Sequence, residues 1–240
     1  MRLNKDSALF SKPIAHRGLW GEGVIENSLT AYENAVNSGY PIEIDVYLTT
    51  DGHLVSFHDK SLERMTGEKG LVYEKTLIEL TQLRLSGSDC KIPTLEQVLS
   101  VVDGKVPLLI EIKNQKNKKV VDKLCKRLND YKGEFAVQSF NPFYLMRLKK
   151  IAPDFLRGVL ATEYAQGESA IVRYVLRKMP FNKFIKPDFI SYSYSGLPLK
   201  KSLTKKVGVL CWTITDQQTL DKVSPYCDNF IFEHFIPKEN

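Results

Sequence analysis

Eight short apolar runs alternate with helix-like stretches along this 240-residue chain, and that alternation limits the fold more than any other feature. The runs lie at about 13–15, 41–48, 107–112, 135–139, 158–161, 188–192, 208–212 and 229–232. Local signals mark the helices between them. Ser28 is a side-chain cap for a helix that Gly39 ends. Thr94-Leu95-Glu96-Gln97 is a capping-box pattern, Asn141-Pro142 pairs a cap with a first-turn proline, and Asp216 opens the last helix. Regular strand–helix alternation predicts a parallel sheet. Eight units in this length predict a closed (β/α)8 TIM barrel. The turn after the first run, Gly18-Leu19-Trp20-Gly21-Glu22-Gly23, lacks the glycine order of a dinucleotide-binding open sheet. Residues 1–240 are expected to form a single domain, with a small insertion at about 51–91. Its stretch from Ser61 to Lys91 is longer than an ordinary βα connection, carries a helical pattern over Leu77–Leu83, and is expected to roof the barrel mouth. Met1 to Lys12 reads as a polar lead-in.

In such barrels chemistry gathers at the C-terminal ends of the strands. His16 and Arg17 end the first run, Glu111 and Lys113 end the third, Gln138 ends the fourth, and Trp212 ends the seventh. Glu43 and Asp45 lie two apart on the second run, so both point the same way. Two buried acids on one face are costly unless a cation sits between them. Oxygen-only donors favour Mg2+ or Ca2+ over zinc. Glu111 with Lys113 could be a neutralised ion pair at the rim, but beside Glu43 and Asp45 it is expected to supply a third carboxylate for the same ion. Asp51-Gly52 separates two strand-like segments and predicts a hairpin. If those two residues form the turn, Thr50 faces His53 and Asp45 lies directly opposite His58. His16 and His58 then flank one set of carboxylates, where one can remove a proton and the other supply one. Arg17 offers a forked donor to phosphate and Lys113 a compact charge. His53 reads as a surface histidine beside a turn, and His234 has no evident partner.

His16-Arg17-Gly18, Glu26-Asn27-Ser28, Glu43-x-Asp45, Asp51-Gly52, His58-Asp59 and Glu111-x-Lys113 together resemble the glycerophosphodiester phosphodiesterase family. The second half agrees more loosely, through Gln138-Ser139-Phe140 and Trp212-Thr213. The resemblance implies a metal-dependent TIM-barrel hydrolase that releases glycerol 3-phosphate and an alcohol from small glycerophosphodiesters. It implies His16 and His58 as the acid–base pair and Glu43, Asp45 and Glu111 as metal ligands. Arg17 and Lys113 then hold phosphate, and Trp212 lines the substrate pocket. The first nucleophile is water or the neighbouring glycerol hydroxyl. Near the end, Asp228 to Phe235 replaces the family's Gly-rich strand running into Thr-Asp and proline, a departure that bears on substrate preference. Two other readings compete: a related enzyme acting on lysophospholipids, and a barrel that only binds. The first would need an apolar lip around the site. Retention of both histidines and all three carboxylates argues against the second.

Lys+Arg of 34 against Asp+Glu of 28 gives 34 − 28 = +6, a mild excess spread along the chain. The densest run, Lys113 to Lys126, reads as a solvated helix face, and no nucleic-acid motif accompanies it. Cys90, Cys125, Cys211 and Cys227 are scattered, which predicts free thiols in a reducing compartment. The start has no apolar signal-peptide core, and no run approaches the ~20 apolar residues of a membrane helix. A cytoplasmic protein without stable membrane insertion is expected. Oligomeric state is left open.

Overall fold

The structure, a computed structural model, describes residues 7–165 and 167–238. The chain enters through a short helix α1 (Ala8–Ser11) and strand β1 (Ile14–His16), then α2 (Leu29–Asn37), β2 (Ile42–Leu48) and β3 (Leu54–Ser56). Helices α3 (Glu63–Thr66) and α4 (Leu77–Thr81) precede α5 (Leu95–Val102). Regular alternation follows through β4 (Leu108–Ile112), α6 (Val120–Leu128), β5 (Phe135–Ser139), α7 (Pro142–Ile151) and β6 (Leu156–Ala161). It continues with α8 (Ala170–Lys178), α9 (Asn182–Ile185), β7 (Phe189–Ser193), α10 (Lys201–Thr204), β8 (Gly208–Ile214), α11 (Gln217–Val223) and β9 (Asn229–Phe232). Eight parallel strands run in the order β1-β2-β4-β5-β6-β7-β8-β9 and close through the β1–β9 pairing, giving the expected (β/α)8 barrel. No helix among the described residues is long and apolar enough to cross a membrane.

Side-chain alternation along the strands builds the interior in layers. Ile14, Leu109, Ala136, Leu210 and Ile231 pack together inside the barrel. Two residues further along each strand the inward positions become His16, Glu111, Gln138, Trp212 and Glu233. The lower layer is therefore an apolar floor and the upper layer the mouth. Gly158 makes room for that floor, because a Cβ there would fall 2.0 Å from the Phe189 ring. Of the segment read as a polar lead-in, residues 1–6 lie outside the described residues, and residues 7–12 seal the floor from below. Ser7 caps α1, and Leu9 and Phe10 are buried against the interior cluster. Two apolar residues in a polar stretch suffice for this because the barrel end needs only a small plug.

The local helix signals act as read. The side chains of Ser28, Thr94, Asn141 and Asp216 each accept a backbone N–H in the first turn of α2, α5, α7 and α11, and Thr94 and Gln97 complete a capping box.

The hairpin register differs from the sequence expectation by one residue. Leu48 pairs with Leu54 and Val46 with Ser56, so Asp45 lies opposite Phe57, whose N–H donates to the Asp45 carbonyl. The loop holds three residues, Thr50-Asp51-Gly52, with Gly52 at φ +87°. The Thr49 N–H donates to the His53 carbonyl, and Thr49 Oγ1 accepts the His53 N–H at 2.9 Å. That hydroxyl–backbone pairing closes the hairpin one residue earlier than a two-residue turn would. Three-residue loops ending in a left-handed glycine are the next commonest hairpin connection.

The insertion has a core of its own. Leu62, Met65, Val72, Tyr73, Leu80 and Leu85 cluster with Tyr47, Val55 and Phe57 of the hairpin. Most of its charged residues face out, with Arg64 turned inward to Glu26, and Ile78 on α4 is left exposed.

Candidate active site

Strand register sets the row of functional groups. His16 on β1 pairs with Glu43 on β2, Asp45 with Glu111 on β4, and Glu111 with Gln138 on β5. Neighbouring strands stand about 4.8 Å apart, so these side chains converge on one mouth. Glu43, Asp45 and Glu111 are all buried, and one carboxylate oxygen from each lies within 4.8 Å of the others. Burial, with Asp45 and Glu111 close by, pushes the Glu43 carboxyl well above its ordinary range. Burial would also raise Asp45, but Lys113, His58 and Arg17 outweigh it and hold that carboxyl well below its usual range.

Lys113 Nζ lies 2.9 Å from Glu111 and 3.2 Å from Asp45 Oδ1, which is buried and accepts no hydrogen bond. One ammonium thus partly neutralises three acids, and Glu43 is left with its charge penalised. An all-oxygen donor set with surplus negative charge fits a hard divalent cation.

The two histidines are held alike. His16 Nδ1 lies 2.6 Å from Glu233 Oε2, and His58 Nδ1 lies 2.7 Å from Asp59 Oδ1. A carboxylate accepting the Nδ1–H fixes the tautomer that leaves Nε2 free. The rings meet edge to face with centroids 6.3 Å apart. His58 therefore reaches the site from just beyond β3 and not from a position across from Asp45. Burial lowers the pKa of His16, against the opposing pull of Glu233.

Around this pair runs a second circle of polar groups. Arg17, at φ +58°, directs its backbone N–H to Glu43 and its Nη1 to Glu26 at 2.8 Å. Its Nε is buried with no hydrogen-bond acceptor, 3.9 Å from Asp45. Asn27 Nδ2 donates to Asp45 Oδ2 at 3.0 Å, and Tyr32 donates to Asn27 Oδ1 at 2.7 Å. Arg64 of α3 donates to both Glu26 and Asp59, tying the insertion to both sides of the site. Trp212 stands on the β8 side with its ring 5.7 Å from Phe140.

All eight sequence-predicted residues lie at this mouth: His16, Arg17, Glu43, Asp45, His58, Glu111, Lys113 and Trp212. The sequence reading missed Glu233, Arg64 and the role of Glu26. Glu233 was within reach, since it stands two residues beyond Ile231, just past the end of β9, and continues its inward face. His234 does have a partner, packing against Trp20 with ring centroids 4.5 Å apart. Cys211 and Cys227, which share no sequence motif, touch through their sulfurs at 3.2 Å.

Residues 16–230 match the model of the glycerophosphoryl diester phosphodiesterase family. A glycerophosphodiester phosphodiesterase of Caldanaerobacter subterraneus is 37% identical over 161 residues, which span 61% of this chain and 65% of that enzyme, just under two thirds of its length. A human lysophospholipase D is 32% identical over 52% of this chain and 44% of its own. Among solved structures, an Oleispira antarctica phosphodiesterase in complex with the product sn-glycerol-3-phosphate superposes with a TM-score of 0.78 at 25% identity, covering 95% of each chain.

Proposed function

Because this chain belongs to the glycerophosphoryl diester phosphodiesterase family, we propose that it hydrolyses glycerophosphodiesters to glycerol 3-phosphate and an alcohol. The observation that carries this reading is the pairing of two carboxylate-held histidines across three buried acids. A diester cleavage needs a proton taken from the nucleophile and one given to the leaving alcohol. His16, kept neutral by burial, takes the proton at Nε2. His58 delivers one from Nε2, with Asp59 accepting its Nδ1–H and fixing the ring. The nucleophile is water or the adjacent glycerol hydroxyl, which would give a cyclic phosphate first.

Arg17, its Nη1 held by Glu26, and Lys113 supply positive charge for the phosphate. Glu43, Asp45 and Glu111 would hold a divalent cation, Mg2+ or Ca2+, which would supply charge stabilisation to the phosphate. Trp212 lines the wall of the substrate pocket. Residues 1–240 serve as one catalytic domain with the insertion as its roof. The charged outer face of that roof favours small, water-soluble diesters, and the free thiols suit a reducing cytoplasm.

The test is hydrolysis of glycerophosphocholine, with release of glycerol 3-phosphate measured before chelation, after it, and after Mg2+ or Ca2+ is returned. Loss and recovery of activity are expected. Full activity after exhaustive chelation removes the metal assignment, and no turnover of any glycerophosphodiester with metal present removes the function.

A further inference from the structure

Helix α8 is the one long helix of the barrel's outer layer, among the described residues, that buries no side chain. Its apolar stripe nonetheless continues over its whole length. Ile171, Val172, Val175, Leu176 and Met179 fall on one side at helical spacing. The C-terminal half of that stripe is used: Val175 and Leu176 line a crevice with Phe140, Pro142, Val159 and Leu160, and Met179 is buried. Phe140 and Pro142 directly follow β5, so this half rests on the catalytic rim. The Arg177 ion pair with Glu163, two residues past the end of β6, pins it there at 2.7 Å. The N-terminal half overhangs. Ile171 is 77% exposed, Val172 37%, and on the flank Tyr174 is 58% exposed. Tyr164, in the loop leading from β6, is 67% exposed. Four exposed large apolar or aromatic residues, three on α8 and one in the loop that leads to it, mark an interaction surface.

The charge around the overhang selects its partner. Residues 170–187 contain five Lys or Arg and no Asp or Glu. Residues 163–206 contain nine against three, a net of 9 − 3 = +6, which equals the formal charge of the whole chain. A short helix with bare aliphatic and aromatic side chains interleaved with cations is the pattern of an interfacial lipid-binding element. Protein interfaces deplete lysine in favour of apolar residues and arginine. From these observations we infer that the overhanging end of α8 docks reversibly on an anionic lipid surface and brings the barrel mouth to it. Ile171, Val172, Tyr164 and Tyr174 enter the headgroup region, and Arg173 and Lys178 meet the lipid phosphates. A glycerophosphodiester is what remains of a phospholipid after its acyl chains are hydrolysed, so its supply arises at such a surface.

The experiment is co-sedimentation of the full chain with mixed phosphatidylglycerol–phosphatidylcholine vesicles and with phosphatidylcholine vesicles. The expected result is at least about tenfold tighter binding to the anionic vesicles, weakened by added salt. The Ile171→Asp/Tyr174→Asp and Arg173→Glu/Lys178→Glu double variants are each expected to lose about tenfold or more. Hydrolysis of glycerophosphocholine without vesicles is unchanged in both, which also shows that they fold. Equal binding to the two vesicle types, no binding, or undiminished binding by both variants overturns the proposal. So does a dimer in solution that Ile171→Asp/Tyr174→Asp converts to monomer with no vesicle binding, because the overhang is then a contact between copies. Binding is scored without turnover, so failure here leaves the diesterase reading standing, and failure of that reading leaves this one testable.

Discussion

Two elements stand above the barrel mouth, and they are built in opposite ways. The insertion after β3 has an apolar core of its own, reaching from Leu62 to Leu85. Helix α8, across β4 and β5 from it, buries nothing. The insertion is also wired into the chemistry, because Arg64 holds Asp59 behind His58 and Glu26 behind Arg17. Among the described residues, α8 makes its ion pair with Glu163, which contacts neither histidine. The contrast shows how one barrel face divides its work: a segment that must hold catalytic groups still is packed and cross-tied, while one that meets a variable surface keeps its apolar side chains bare.

The comparison breaks most clearly on kinetics. His58→Ala on the insertion's edge, and His16→Ala beside it, are each expected to lower kcat at least about 10²-fold. Tyr174→Ala on α8 is expected to leave glycerophosphocholine turnover unchanged. Near-normal kcat in either histidine variant would make that histidine structural. Stability gives the next largest difference. Leu62 is fully buried in the insertion, so Leu62→Ala is expected to cost about 2–5 kcal/mol in denaturant unfolding. Ile171→Ala stays within about 0.5 kcal/mol. Similar costs at the two sites would erase the distinction.

Arg64→Ala tests the wiring itself. Freed from Arg64, Asp59 and Glu26 no longer fix His58 and Arg17, and kcat is expected to fall about tenfold with the fold intact. An unchanged kcat would reduce Arg64 to a surface charge. The smallest effect is a pH shift on the far side of the site. Glu233 favours the protonated form of His16 by hydrogen bond and by charge. In Glu233→Gln the charge is gone, and the His16 pKa falls further. The neutral base then persists to more acid conditions. The acid limb of the kcat/KM profile is expected to move to lower pH, and movement to higher pH would contradict the assigned pairing.

Most of the site was legible because its signals are short-range. A two-residue strand period places Glu43 beside Asp45 and Glu111 beside Lys113 without knowledge of the fold. Caps such as Ser28 and Thr94 act on N–H groups within three residues, so sequence alone locates the helix starts. The hairpin register failed for an equally local reason. Asp-Gly suits both a two-residue and a three-residue loop, and the choice went to the Thr49 hydroxyl and the His53 backbone. A one-residue change in register swaps which residue stands opposite Asp45, yet His58 still reaches the mouth from the segment beyond.

The order of elements, the parity of the acids and the identities of both histidines were set by the sequence itself. They depend on backbone periodicity and on side-chain chemistry that each residue carries anywhere. Tertiary structure alone decided the rest. Glu233 meets His16 across 217 positions because β9 closes the ring against β1. Arg64 finds Glu26 because the insertion folds back over β2. Leu9 and Phe10 became a plug once the barrel had a floor to seal. On α8, packing decided that Val175 and Leu176 meet Phe140, Val159 and Leu160 while Ile171 stays bare. Each of these rests on distances between segments far apart in the chain, which packing sets and no local pattern records.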